Sequence, residues 1–271
     1  MDNLGYSALT GKRIVVTRAM AQAVELLKAL QYAGAIPILL PVIRILPPES
    51  FSQLDEALGN LGNFDWILFT SQNAVRIVQE RLEVLGAQSG QGIRGLLAGA
   101  VGETTASEAA NAGFEVAHVA SRPLGAALVE ELGRRLFGKR VLLPRSDRAN
   151  PDVSVALEKL GAQVTEIVAY RTVSESAKDG DAVVKAMSAD AVLFFSPSAV
   201  EGFDSVCGGG KLAEFATRGI VLASGPVTLA ALQAAGITAA AAAKEPSVAR
   251  IIEALANSFA MRDQRVPDKA N

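Results

Sequence analysis

Cysteine and histidine are almost missing from this chain of 271 residues: it has one of each, Cys207 and His118. A single thiol excludes an intramolecular disulfide and a cysteine-cluster metal site. His118 has no second histidine with which to make a metal pair or a triad. Cys207, next to Gly208-Gly209-Gly210, reads as a bystander thiol in a glycine-rich loop. Charge of one sign is lacking too, with 26 Lys and Arg against 28 Asp and Glu. The net charge of −2 gives no general attraction to nucleic acid or anionic lipid. Aromatic residues are only 5% of the chain and hydrophobic residues 50%, so a core must be built mostly from aliphatic side chains. Met1 to Thr10 lacks the basic-then-apolar order of a secretory leader. The uncharged window from Gly219 to Ala243 is broken by Ser224-Gly225-Pro226 and Gly236, which suits strand, turn, helix and strand better than a membrane span. A soluble, cytoplasmic protein is expected. No phosphate-binding P-loop is present, and no Gly-x-Gly-x-x-Gly follows the first strand.

What is present is a duplicated turn. Asp65-Trp66-Ile67-Leu68-Phe69-Thr70-Ser71-Gln72-Asn73-Ala74-Val75 is an apolar run closed by hydroxyl and amide residues, and an amphipathic segment to Leu85 follows. The pattern reads as buried strand, tight turn and helix start. Backbone N–H groups at such a helix start are free to receive a carboxylate or phosphate. Asp190-Ala191-Val192-Leu193-Phe194-Phe195-Ser196-Pro197-Ser198-Ala199-Val200 repeats it, Ser196 matching Ser71 at an offset of 125.

Other segments repeat in the same order. Lys139 to Arg145 lies over Lys12 to Arg18, and Gly161-Ala162 over Gly34-Ala35, both at an offset of 127. Gly225-Pro226-Val227-Thr228 lies over Gly102-Glu103-Thr104-Thr105, and Gly236 over Gly113, both at 123. Ordered anchors with so little drift argue for internal duplication. Between them strands and helices alternate. A helix with Val24, Leu26, Leu27 and Leu30 on one side closes at Gly34; Phe51 to Leu61 and Gly125 to Leu136 are further helices. Gly86 to Gly92 reads as a flexible loop, and residues 261–271 as a frayed tail. Alternation of this kind predicts an α/β fold of two similar parallel-sheet domains. The turns after Thr17, Phe69, Val101, Leu143, Phe195 and Ala223 then lie at strand carboxyl ends, the edge where such sheets bind ligands. They are expected to converge on a shared cleft.

These stretches, with Val168-Ala169-Tyr170-Arg171-Thr172, carry a family pattern. From Gly11 to Leu255 the chain resembles the uroporphyrinogen-III synthases of tetrapyrrole biosynthesis. Each motif is weak alone; their order and spacing are specific. The resemblance implies two α/β domains joined by a two-stranded connector. Domain 1 would comprise residues 1–41 and 173–260, domain 2 residues 47–166, and the connector residues 42–46 and 167–172. Pro47-Pro48 sits where the path should turn. Hinge motion across so thin a connector is the default expectation.

The implied reaction closes the linear tetrapyrrole hydroxymethylbilane with inversion of its last ring and loss of water, giving uroporphyrinogen III. No cofactor and no metal are implied. The expected partners are the small-molecule substrate and, transiently, the preceding pathway enzyme, with no nucleic acid and no membrane. The substrate's eight carboxylates can be gripped by helix starts and hydroxyl-rich turns, which nominates Thr70, Ser71, Asn73, Thr105, Ser196, Ser198 and Thr228. Helix capping is the plainer role of the same hydroxyls, and the two coexist at one turn. Arg18 and Arg145 end the first strand of each repeat and could pair with carboxylates; Arg148, Arg44 and Arg171 are weaker candidates. Tyr170 is the implied general acid, a phenol that keeps its proton at neutral pH. The plainer reading is a tyrosine packing the hinge. Phe195 stands where the family often has Thr and removes one donor.

Two other functions fit the scaffold. A non-catalytic ligand-binding or sensor protein would share the cleft. A nucleotide-sugar-dependent transferase should show a glycine-rich phosphate loop and a ribose-binding acid, which are not evident.

Overall fold

Short aliphatic runs, each closed by a glycine or a small polar residue, become the strands of two sheets in the computed structural model, which describes residues 8–86, 95–122, 124–176, 180–237, 241–243 and 247–263. In chain order the strands are β1 (Arg13–Val16), β2 (Ile36–Leu39), β3 (Ile43–Leu46), β4 (Trp66–Phe69), β5 (Leu97–Ala100), β6 (Glu115–Val119), β7 (Arg140–Ser146), β8 (Gln163–Ser174), β9 (Ala191–Phe194), β10 (Ile220–Ala223) and β11 (Ala241–Ala242). Contacts divide the chain into two compact units, residues 1–44 with 173–271, and residues 45–172. The greater part of the predicted loop at Gly86 to Gly92 lies outside the described residues.

The first unit holds a five-stranded sheet, β11-β10-β9-β1-β2, parallel throughout. The second holds β3-β8-β7-β4-β5-β6, parallel from β8 to β6. Taken in matching direction, the order β2-β1-β9-β10-β11 corresponds to β8-β7-β4-β5-β6 element for element. The sequence repeat is therefore a repeat of topology. In each unit the strand order reverses at one place, between β1 and β9 and between β4 and β7. Open parallel sheets bind ligands at such a reversal, beyond the strand carboxyl ends.

Both faces of each sheet are covered, as parallel strands require. Within β4, Ile67 and Phe69 join one buried cluster, Trp66 and Leu68 the other. Within β1, Val15 faces one cluster and Ile14 and Val16 the other. The chain passes between units within β3 and returns within β8, and these strands are neighbours in the six-stranded sheet. Arg171 Nε donates to the Pro47 carbonyl at 3.1 Å, and the Glu175 amide to the Val42 carbonyl at 2.9 Å.

Several local expectations are revised. β7 does not turn after Leu143 but runs to Ser146. Its pairing with β4 ends at Leu142, so the N–H that Pro144 lacks leaves no bond unmade on that side. The helix Met20–Tyr32 buries Ala23, Leu26 and Leu30, whereas Val24 is exposed. Cys207 is not in a loop: it is the buried last residue of the helix Pro197–Cys207. Met261 does not begin the tail, because the helix Val248–Asp263 includes it.

Candidate active site

In the second unit the reversal is flanked by the turn after β4 and the end of β7. Ser71 makes that turn with extended backbone, φ −156° and ψ 153°, and its Oγ accepts the Ala74 N–H at 3.2 Å. This is a side-chain N-cap, which supplies a partner to one of the otherwise unpaired amides of the helix Gln72–Val84. Tyr170 projects from β8 and is 5% exposed, packed in the cluster that contains Phe69 and Ala74. Its hydroxyl lies 2.9 Å from Ser71 Oγ. Burial pushes the phenol above its ordinary value; the hydrogen bonds from Ser71 and Asn73 pull the other way. At neutral pH Tyr170 therefore keeps its proton.

The backbone around Tyr170 is pinned by a residue that the sequence reading missed. The Asp147 amide donates to the Tyr170 carbonyl at 3.1 Å, and Asp147 Oδ1 accepts the Thr172 N–H at 2.9 Å. Ser146 Oγ lies 3.0 Å from Asp147 Oδ1, to which it donates, and 3.0 Å from Thr172 Oγ1. The loop after β7 thus grips β8 at Tyr170 and at Thr172, on the carboxyl side of the phenol. A Ser-Asp pair at a strand end is turn chemistry, and it was the available signal.

Arg145 and Arg18 hold equivalent positions but different environments. Arg145 is 4% exposed. Its Nη2 donates to the Asn150 carbonyl at 2.7 Å and its Nη1 lies 3.2 Å from Glu166 Oε1. Glu166 is on β8, and the matching place in the first unit is Leu39 on β2. A carboxylate next to the strand draws one arginine inward, and an aliphatic residue leaves the other out. Arg18 is half-buried, with Nε donating to Gln22 Oε1 at 3.2 Å and the guanidinium 5.1 Å from the centre of the Phe195 ring. Phe195, in the place of Thr70, thus stacks on the arginine in the cation–π manner where a hydroxyl would have donated.

The first unit repeats the cap. Ser196, at φ −158° and ψ 159°, accepts the Ala199 N–H at 3.2 Å, and Pro197 opens the helix. Ser198 and Asn73 are the second residues of the two capped helices. Thr105 and Thr228 are the third residues of the helices Glu103–Asn111 and Pro226–Ala234, 5% and 4% exposed. Both helices start from a glycine with no side-chain cap; Gly102 sits at φ 83°, a region that favours glycine. Thr17 holds the reversal in this unit: its Oγ1 donates to the Leu193 carbonyl at 2.7 Å, joining the ends of β1 and β9. Thr70, Ser71, Asn73, Thr105, Arg145 and Tyr170 thus belong to one unit, and Arg18, Ser196, Ser198 and Thr228 to the other. Among the described residues no group of three or more His, Cys, Asp or Glu side chains could hold a metal ion, and no helix is long and apolar enough to cross a membrane.

Comparison with known proteins gives the chain relatives. Residues 24–253 match the family described as uroporphyrinogen-III synthase HemD. The uroporphyrinogen-III synthase of Synechococcus elongatus is 32% identical over 226 residues, covering 81% of this chain and 85% of that one. A putative uroporphyrinogen-III synthase of Methanothermobacter thermautotrophicus is 29% identical over 233 residues, covering 83% and 90%. The crystal structure of a mutant uroporphyrinogen III synthase from Thermus thermophilus shares the fold at a TM-score of 0.66, with 18% identity over 94% of this chain and 100% of that one.

Proposed function

The chain belongs to the uroporphyrinogen-III synthase family, and from that premise we propose which residues hold the substrate and which one moves a proton. The activity is that of a hydro-lyase of tetrapyrrole biosynthesis, a uroporphyrinogen-III synthase. The substrate the family implies is hydroxymethylbilane, closed to uroporphyrinogen III with inversion of the terminal ring and loss of water.

The observation that carries the chemical proposal is the buried Tyr170 hydroxyl at the carboxyl end of its sheet. Loss of water needs the hydroxymethyl oxygen to leave with a proton. The pyrrole nitrogen pushes electrons toward the breaking C–O bond, and the Tyr170 O–H supplies the proton to the departing oxygen. The reactive carbon is then electrophilic and meets the substituted position of the terminal ring, so most of the remaining task is positioning. Substrate carboxylates are taken up by Arg18, Thr70, Asn73, Ser196, Ser198, Thr105 and Thr228. Arg145 stays with Glu166 and Asn150 and braces the loop that holds β8. The site of action is the cytoplasm, where the preceding enzyme hands over a substrate that cyclises by itself.

The test supplies fresh hydroxymethylbilane, oxidises the products and separates porphyrin isomers by chromatography. Uncatalysed closure gives isomer I, a built-in blank. Predominant isomer III that falls with Tyr170→Phe is the expected result. Isomer I alone, from folded protein, removes the synthase activity from this chain and favours a ligand-binding role.

A further inference from the structure

We infer that Ser71 is a positioning residue for Tyr170: its hydroxyl donates to the phenol oxygen and so turns the Tyr170 proton toward the leaving group. This rests on the reading of Tyr170 as the proton donor.

The argument is one of hydrogen-bond inventory. A serine oxygen has one proton and two lone pairs. One lone pair of Ser71 is occupied by the Ala74 N–H, which fixes the oxygen in place as the helix cap. The same oxygen is 2.9 Å from Tyr170 Oη, and either atom can be the donor. If the phenol donates to Ser71, its only proton points into the protein and cannot reach a substrate. If Ser71 donates, the phenol oxygen is held as an acceptor, with Asn73 as a second hydrogen-bond partner, and the O–H is left to point outward. Only the second arrangement lets Tyr170 act as an acid. It also stabilises the charge that grows on the phenol oxygen as the proton leaves.

The duplication supplies an internal control. Ser196 makes the same cap bond, at the same 3.2 Å, in the other unit. The position that matches Tyr170 at the 127-residue offset is Ile43, which has no hydroxyl. Capping is therefore common to both copies, and the second bond of Ser71 belongs to one.

The test measures kcat and KM for Ser71→Ala, Ser71→Thr, Ser71→Asp and Tyr170→Phe, and for Ser71→Ala and Ser71→Asp combined with Tyr170→Phe. Ser71→Asp keeps an N-cap acceptor but has no proton to donate, so it separates the two roles if Ser71→Ala folds poorly. The expected result is a drop in kcat of about tenfold in Ser71→Ala and Ser71→Asp, with little change in KM for Ser71→Ala, and recovery in Ser71→Thr. In the Tyr170→Phe background neither substitution lowers kcat further, the sign of two groups acting as one. Ser196→Ala lowers the melting temperature to a similar degree but multiplies with Tyr170→Phe. An equal fold loss from the Ser71 substitutions with or without the phenol, or full kcat in Ser71→Asp, overturns the inference and leaves the Tyr170 reading standing. An unchanged kcat in Tyr170→Phe overturns both.

Discussion

A methyl group placed on Gly202 would lie 2.6 Å from the Val42 carbonyl oxygen and 3.1 Å from Ile43 Cγ2. The helix Pro197–Cys207 thus packs directly on the backbone where the chain is about to leave its first unit. Backbone cannot swing aside as a side chain would. Gly202→Ala is expected to lower the stability of that unit by about 1–3 kcal/mol. Gly59→Ala, at a helical position with nothing within 4 Å, is the control and should be neutral or slightly stabilising. Urea denaturation of both variants checks this, and equal midpoints would remove the close approach as an energetic feature.

The two arginines that the repeat equates should separate by experiment. Arg145→Met removes a guanidinium held by Asn150 and Glu166 and is expected to cost about 1.5–3 kcal/mol of stability. Arg18→Ala is expected to leave stability nearly unchanged and, on the proposed role of Arg18 in holding substrate carboxylates, to raise KM, more so at low ionic strength, where such a contact is less screened. Thermal melts and kinetics on the pair decide the matter; the reverse assignment of the two effects would contradict the structure.

Acid should loosen one corner of the second unit. Glu131 accepts from the Ser121 hydroxyl at 2.6 Å and from its amide at 3.1 Å, and lies 2.8 Å from His118 Nε2. The Ser121 bonds, with a smaller contribution from His118, hold its carboxyl down to about 2 from the ordinary 4.5. A depressed carboxyl stabilises the fold above its unfolded value, and that contribution fades as pH falls from about 4.5 toward about 2. The stability gap between the protein and Glu131→Gln should therefore be widest above pH 4.5 and close on acidification. Denaturation midpoints across that window test it; a gap constant with pH refutes it.

Cys207 should be inert while the protein is folded. Burial pushes its thiol up to about 11, with Asp204 adding to the shift, so little thiolate exists at pH 8. An aromatic disulfide reagent is expected to react slowly with native protein and rapidly in denaturant. Fast labelling of the native state would show that the end of the helix opens.

The elements legible in the sequence were those whose cause is local. Ser71 and Ser196 announced themselves because a hydroxyl before a helix satisfies amides three residues away, and the second copy doubled the signal. The alternation that predicted parallel sheets needs only neighbours in the chain. What escaped depends on residues far apart. Arg145 turned inward because Glu166 lies on the adjoining strand, and a turn was expected after Leu143 because nothing local tells that the strand runs on to Ser146. The grip of Asp147 on β8 and the contact of Ser71 with Tyr170, 99 residues away, are products of the sheet order. Tyr170 itself was reached through family resemblance, not through its surroundings.

The order in which the strands are made differs from the order in which they lie. β1 sits between β2 and β9, and the Arg13 amide is bonded to Asp190, 177 residues later, at 2.7 Å. All partners in the sheet of the second unit are encoded by residue 174. During synthesis the second unit can close first, while β1 and β2 wait with an unpaired edge carrying Ile14, Val15 and Val16. A nascent chain whose emerged part ends between Ser174 and Asp190 would carry one finished unit and one sticky overhang, so the stretch between β8 and β9 is where interrupted translation exposes this protein most to aggregation.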